Sequence, residues 1–89
     1  MQIHDLKILP DYIESILARK KTFEIRSEAD RSFKEGDYLL LREWHPHTLD
    51  YTGRYCLVKV IYCARNNMLK KGHVVMSIEL CQIVPKDCN

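Results

Sequence analysis

One amphipathic helix and five strand-like segments can be recognised in this chain of 89 residues, and that ratio restricts the fold more than any other feature. Pro10 suits the first turn of a helix, and Asp11 and Glu14 follow it with negative charge. A basic run at residues 19–21 lies at the other end, as the helix dipole favours. The apolar residues fall on one side at helical spacing: Tyr12, Ile13, Ile16 and Leu17. The sequence therefore predicts a short helix that begins at Pro10.

The strand-like segments are runs in which apolar and polar residues alternate or apolar residues dominate. They are residues 3–9, 22–27, 38–44, 54–63 and 73–84. A charged connection at 28–35 has Phe33 as its main apolar anchor and leads to a turn at Gly36. The remaining stretches are predicted loops, at 45–53 and 64–72. Residues 54–63 are largely apolar on both faces except at Lys59, which predicts a central strand.

A single helix is too little to cover a sheet of five strands, so the sheet must supply its own second wall. Curling the sheet onto itself does this and also removes exposed strand edges. A chain of this size has room for one core only, so we expect a single domain over residues 1–89. The predicted fold class is α+β, a small and partly open β-barrel with one helix between strands 1 and 2.

The junction between the helix and the second strand carries three basic residues and one acidic residue within seven positions. Alternation places Phe23 and Ile25 on one face of the strand and the charged residues on the other. Charges beside apolar groups are costly unless they are paired or used. A simple ion pair between Glu24 and Arg26 is one explanation. The other is a site for a polar or anionic ligand on which three side chains converge: Lys21, Glu24 and Arg26.

Overall charge and hydropathy exclude few classes of function. The net charge of +2 is too small to require a nucleic-acid partner, although a local basic cluster can still bind one. No apolar run has the length of a secretory signal or of a membrane span, which needs about 18 residues. We therefore expect a cytoplasmic monomer with no membrane partner.

The four cysteines include no Cys-x-x-Cys pair, which argues against a zinc knuckle. Cys56 and Cys81 lie in apolar strand patterns and are predicted to be reduced core residues. Cys88, near the end of the chain, is predicted to be an exposed thiol.

His45-x-His47, with Asp50 nearby, is the one candidate for a metal-binding pair. Histidines in a loop that contains proline are more often solvated, and no third strong ligand stands at a recognisable spacing. We therefore expect no metal and no cofactor.

The pattern Lys21-x-x-Glu24-x-Arg26, placed between a helix and a strand, resembles the signature of the ASCH domains, which belong to the PUA-like superfamily of small pseudo-barrels. Three further segments resemble a compact, functionally unassigned branch of that group: residues 33–37, 41–44 and 72–80. The likeness extends from about His4 to Leu80. It implies a PUA-like β-pseudobarrel of five to six strands.

The family's pattern usually has glycine two residues before the lysine, where this chain has Arg19. Glycine often ends a helix in a left-handed conformation, which arginine adopts only at an energetic cost. We therefore expect either a different helix end or a remodelled loop at this position.

The resemblance implies RNA or nucleotide binding, which has been proposed for ASCH domains because PUA domains bind RNA. Lys21, Arg26 and Arg42 offer donors to phosphate oxygens. Trp44 offers a face on which an unpaired base can stack. If the second and third strands are neighbours, Arg26, Arg42 and Trp44 line one concave surface. The predicted ligand-binding residues are Lys21, Glu24, Arg26, Arg42 and Trp44.

Two members of this set also have simpler explanations. Trp44 is alternatively a core or barrel-end residue whose N–H finds a carbonyl. Arg42 is alternatively half of a surface ion pair with Glu24 or Glu43, which contributes little stability. His4 lies near the predicted site only if the first strand borders the second.

Catalysis is a second class of function. Some very small ASCH-like proteins, which this chain resembles, hydrolyse the amide of N4-acetylcytidine with a lysine, a threonine and a distal glutamate. Lys21 matches the lysine, Glu24 stands in the threonine's place, and Glu79 is the only late glutamate, with no clear alignment. In a hydrolase, Lys21 acts as base or nucleophile and Glu24 orients it or carries a proton. A third class, a protein-interaction module, is supported only by the charged connection at 28–35.

Overall fold

The structure is a computed structural model in which residues 1–84 are described. It contains β1 (Ile3–Ile8), α1 (Pro10–Leu17), β2 (Phe23–Ser27), β3 (Tyr38–His45), β4 (Asp50–Ala64) and β5 (His73–Val84). The predicted helix and the five predicted strands are confirmed, with some ends displaced along the chain. No helix within residues 1–84 is long and apolar enough to cross a membrane.

The five strands form one mixed sheet in the order β1-β3-β4-β5-β2. β1 runs parallel to β3, and the other pairings are antiparallel. The sheet curls into a half-barrel whose two edges are β1 and β2. The predicted α+β fold, a small and partly open barrel with one helix between strands 1 and 2, is therefore confirmed.

The hydrophobic core lies between the inner face of the half-barrel and one side of α1. Alternate residues of each strand point inward, and α1 contributes Ile13 and Ile16. The core consists of Ile8, Ile13, Ile16, Phe33, Leu39, Leu41, Cys56, Val58, Val60, Val74, Met76 and Ile78. Burial stabilises the fold by roughly 1.5–3 kcal/mol for each large apolar side chain in this set.

The predictions for β4 and Cys56 are confirmed, and the prediction for Cys81 is corrected. β4 is central in the sheet as predicted. Ile61 and Tyr62 are exposed, at the bulge where the pairing of β4 with β5 shifts register. Cys56 is buried as predicted. Cys81 is exposed, because the side chains of β5 that point into the core are those of Val74, Met76 and Ile78. Cys88 lies outside the described residues.

The predicted loop at 45–53 is wrong in its second half, because β4 begins at Asp50 and continues the hairpin with β3. Three residues of β4, at 52–54, stand opposite Glu43 alone, which makes a β-bulge. Gly53 has a φ of +92°, a conformation that glycine adopts without strain. The bulge brings the side chains on either side of this glycine to Glu43.

α1 ends at Leu17 in a Schellman motif. The N–H of Arg19 donates to the carbonyl of Ile16 at 3.0 Å, and the N–H of Lys20 donates to the carbonyl of Ser15 at 2.9 Å. Arg19 has a φ of +63°, which is the conformation that glycine normally supplies. The expected change of helix end or loop is therefore wrong, because arginine takes the glycine geometry instead.

We expect Arg19→Gly to stabilise the protein by about 0.5–1 kcal/mol, because glycine has no Cβ to crowd a left-handed backbone. The gain stays below the full left-handed penalty because glycine also makes the unfolded chain more flexible. Urea denaturation measures the gain as a higher midpoint at unchanged slope. Arg19→Ala keeps the Cβ and is the control, and an equal gain in both variants contradicts the explanation.

Phe33, which is 1% exposed, anchors the connection between β2 and β3 as predicted. Its N–H donates to Glu28 at 3.0 Å, and Arg65 donates to the same carboxylate through Nε at 2.6 Å and Nη2 at 2.8 Å. The hydrogen bonds from Arg65 lower the pKa of Glu28 to about 2. Burial raises this pKa, and the hydrogen bond from the Phe33 N–H lowers it further. The ring of His4 packs on that of Phe33, and its Nε2 atom lies 2.9 Å from Oδ2 of Asp37. His4 is therefore a buried residue of the interior.

Acidification is expected to remove the stability that Glu28 provides. Its pKa lies near 2 in the folded protein against 4.5 in a free side chain, so the unfolded chain takes up the proton first. The contribution is therefore complete above pH 4.5 and is lost as the pH falls toward 2. We expect it to amount to about 1–2 kcal/mol, because solvent screens the half-exposed Arg65.

Glu28→Gln is expected to lose this contribution at neutral pH and to flatten stability against pH in urea titrations. Asp30→Asn, on the same connection, is the control because the Asp30 side chain is 77% exposed. Equal pH dependence of the wild type and Glu28→Gln contradicts the assignment.

Candidate functional site

The two edge strands of the half-barrel face each other across a cleft of about 430 Å³. Lys7 and Ile8 of β1 line one side, Phe23 to Arg26 of β2 line the other, and Tyr12 of α1 borders one end. The guanidinium of Arg26 crosses the cleft, where Nη2 donates to the backbone carbonyl of Lys7 at 2.9 Å. A side chain thus links the two edges of the sheet at this point.

Glu24 lies at the centre of the charged residues of the cleft and is 4% exposed. Its carboxylate accepts hydrogen bonds from Nζ of Lys21 and, at 2.8 Å, from Nε of Arg26. Strand alternation explains the arrangement, because Phe23 and Ile25 take the outer face of β2 and Glu24 takes the inner one. A buried carboxylate needs such partners, since an unpaired one is costly. Lys21, Glu24 and Arg26 are therefore brought together.

Two exposed aromatic rings flank Lys21. Its ammonium lies 4.9 Å from the ring centroid of Phe23 and 5.5 Å from that of Tyr12. Tyr12 is 53% exposed and Phe23 44% exposed, so both rings present surface to solvent. Nζ of Lys21 also donates to the carbonyl of Phe23 at 2.7 Å, which fixes the ammonium between the rings.

Arg42 and Trp44 lie elsewhere, on the outer face of β3. β1 and β4 occupy the two sides of β3, so β2 is not its neighbour and the expected concave surface shared with Arg26 does not form. Arg42 Nε donates to Asp5 at 2.9 Å, and the alternative pairing with an inward-facing glutamate is wrong because Arg42 points outward. Trp44 is half-buried and contacts the ring of Tyr51 edge-on at 5.0 Å.

A second charged cluster, inside the half-barrel, was not predicted from the sequence. Glu43 is 1% exposed and accepts hydrogen bonds from Arg54 Nη2 at 2.7 Å and from the Thr52 hydroxyl at 2.6 Å. Arg54 also donates to Glu14 of α1 at 2.6 Å and so ties the helix to the sheet. Its hydrogen bonds to Glu43 raise the pKa of the Arg54 guanidinium, although burial opposes the charged form.

The sequence did contain a signal for this cluster. Glu43 shares a strand face with Leu39 and Leu41, and a carboxylate on an apolar face requires a buried partner. Arg54 could not be named as that partner, because the bulge that brings it to Glu43 was not predicted.

Cys56, buried next to these charges, is not a candidate nucleophile. Burial raises the pKa of its thiol to about 11, and the negative charge of Glu24 adds to the shift. The group is therefore a neutral thiol at ordinary pH, and thiolate is the reactive form.

The remaining candidate residues, His45, His47 and Glu79, do not come together in one site. His45 and His47 have ring centroids 5.6 Å apart, and the N–H of His47 donates to His45 Nδ1 at 3.3 Å. Among residues 1–84, no three metal-ligating side chains are grouped closely enough to hold an ion. Glu79 is exposed on β5 and shares with Lys21 a second depression of about 360 Å³.

Comparison with known proteins gives a family and one relative. The family model described as "Domain of unknown function (DUF3850)" matches residues 3–78, from β1 into β5. The chain is also 29% identical over 84 residues to the "Uncharacterized 12.9 kDa protein in GpA 3'region" of Escherichia phage P2. That match covers 94% of this chain and 74% of the relative. Because the family model spans most of the sequence, the chain belongs to the DUF3850 family.

Proposed function

We propose that the cleft between β1 and β2 binds a nucleotide unit, either as a free nucleotide or as an unpaired residue of RNA. The observation that carries the proposal is the arrangement of Lys21 and Arg26, two cations held by the buried carboxylate of Glu24 in a cleft of about 430 Å³. Ligand-binding clefts have volumes of about 300–1,000 Å³, so one nucleoside is of suitable size.

Each part of a nucleotide has a complementary group in the cleft. Lys21 and Arg26 donate to phosphate oxygens, and Glu24 holds both cations in place before the ligand arrives. The exposed rings of Tyr12 and Phe23 offer faces for the base. The resemblance of Lys21-x-x-Glu24-x-Arg26 to the ASCH signature, and through it to PUA-like RNA-binding domains, supports the same conclusion.

Titration of the purified protein with ribonucleoside monophosphates and with a short oligouridylate at low salt tests the proposal. We expect binding whose logarithm falls linearly with the logarithm of salt concentration, because phosphate contacts release counterions. Absence of binding to all of these probes at low salt contradicts it.

Hydrolysis of an acylated cytidine is a second candidate, favoured by the contact between Lys21 and Glu24 inside a cleft of nucleoside size. Water would cleave the N4-acetyl amide to cytidine and acetate, and Lys21 and Glu24 would accept the proton from water and donate it to the leaving amine. Incubation with N4-acetylcytidine tests this by release of cytidine, which Lys21→Ala should abolish. Stable substrate in the presence of wild-type protein rules the activity out.

A further inference from the structure

We infer that the neighbouring nucleotide of an RNA strand binds on the outer face of β1, β3 and β4, so that the ligand is a strand of RNA and not a free nucleotide. The surface, here termed the outer-face cluster, consists of Lys7, Arg42, Trp44 and Tyr51. This inference rests on the function proposed for the cleft, because the first nucleotide must bind there.

Lys7 connects the cleft to the outer-face cluster. Its backbone carbonyl accepts the hydrogen bond from Arg26 inside the cleft. Its ammonium lies 3.9 Å from the centroid of the Trp44 ring, on the outer face. One lysine therefore spans the distance between the guanidinium of the cleft and the indole, which places it to contact the phosphate that joins two successive nucleotides.

The outer-face cluster has the composition of a stacking platform. Each of its two rings carries a cation on its face, Lys7 over Trp44 and the guanidinium of Arg42 over Tyr51, both at 3.9 Å. Such cations are held by the π-electrons of the ring. A base stacks on the same ring face, and sequence-tolerant binding of single strands combines such rings with basic side chains that follow the backbone. The flexible Lys7 side chain can move from the ring to the phosphate and leave its face to the base.

Charge along this path also suits a polyanion. From Lys21 through Arg26 and Lys7 to Arg42, four cations follow one another across the cleft and the outer face. The acidic residues that contact them are Glu24 and Asp5. Four cations against two carboxylates leave the path an excess of +2, which equals the formal net charge of the whole chain.

Trp44→Leu tests the inference, because leucine keeps apolar contact on the strand but removes the stacking face. Affinities are measured for uridine monophosphate and for a short oligouridylate. We expect the variant to bind the oligonucleotide about 5- to 100-fold more weakly and to bind the monophosphate as the wild type does. Tyr38→Leu is the control, since Tyr38 shares the outer face of β3 at the opposite end of the strand.

Lys7→Met supplies the second measurement. We expect it to reduce the salt dependence of oligonucleotide binding by about 0.7 in logarithmic slope, as for one lost phosphate contact on a single strand. Unchanged oligonucleotide affinity in Trp44→Leu, or an equal loss for both ligands, overturns the second nucleotide site and leaves the cleft as a nucleotide site. Failure of the wild type to bind either probe overturns the proposed function as well.

Discussion

Replacing Lys21 by methionine is expected to weaken nucleotide binding about 10- to 100-fold, which corresponds to one charge-assisted hydrogen bond. The loss should appear with both the monophosphate and the oligonucleotide, because Lys21 lies in the cleft and not on the outer face. Methionine keeps most of the aliphatic length that packs between Tyr12 and Phe23. Glu24 keeps its hydrogen bond from Arg26, so the carboxylate is not left alone.

Isothermal titration at several salt concentrations measures this effect and separates it from unfolding. Lys70→Met is the matched control, because Lys70 is exposed on the connection between β4 and β5 and the same charge is removed. We expect the control to bind as the wild type does, apart from a small uniform effect of net charge. Equal losses in the two variants would mean that general charge, and not the cleft, attracts the ligand.

Replacing Arg54 by methionine is expected to destabilise the protein by about 3–5 kcal/mol, because it removes two charge-assisted hydrogen bonds to the buried carboxylate of Glu43. Glu14 of α1 loses its link to the sheet in the same variant. Domains of this size are stable by only about 5–15 kcal/mol, so the loss should be visible as a large fall in the urea midpoint.

The double variant Glu43→Leu with Arg54→Met shows whether the lost hydrogen bonds between these two side chains are the cause. Exchange of a whole buried pair for apolar residues is often neutral, so we expect the double variant to recover most of the lost stability. Arg42→Met is the control for removal of an arginine, since its pair with Asp5 lies at the surface, where solvent screens the two charges and the pair contributes little stability. If the double variant is as unstable as Arg54→Met, packing of the arginine itself is responsible.

The two charged clusters have different relations to solvent. The Lys21–Glu24–Arg26 cluster opens into the cleft and keeps donors near a ligand-sized space. The Glu43–Arg54 cluster is enclosed and joins α1, β3 and β4. We therefore expect changes in the first to act mainly on binding, and changes in the second mainly on stability.

Arg54 nonetheless bears on the geometry of the cleft. It fixes α1 to the sheet through Glu14, and α1 carries Tyr12 at one end of the cleft. The position of that ring therefore depends on a contact made on a different side of the helix.

The sequence predicted the parts of the structure that depend on nearby residues. Pro10 and the spacing of Ile13 and Ile16 specify α1, because helical contacts join residues three and four apart. Lys21, Glu24 and Arg26 were grouped correctly because all three lie within six positions, on a strand and the turn before it. Alternation along β3 is also visible in the sequence, and the structure has Arg42 and Trp44 on one face and Glu43 on the other.

Strand order was decided only in the tertiary structure. Alternating patterns fix which face of a strand is apolar but not which strand lies beside it, because pairing depends on the free energy of the whole sheet. This is why Arg42 and Trp44 were expected beside Arg26, and why Asp5 was not considered as the partner of Arg42. The bulge that joins Arg54 to Glu43 was missed for the same reason.

The sequence by itself thus determined the helix, the strands, their inner and outer faces and one local cluster of charges. Tertiary structure decided that β1 and β2 form the two edges of the sheet, and the cleft exists only because those edges face each other. The physical reason is the separation along the sequence of the residues that interact. Backbone periodicity and contacts between close residues depend on short stretches of sequence. A gap between two sheet edges depends instead on the closure of the whole half-barrel.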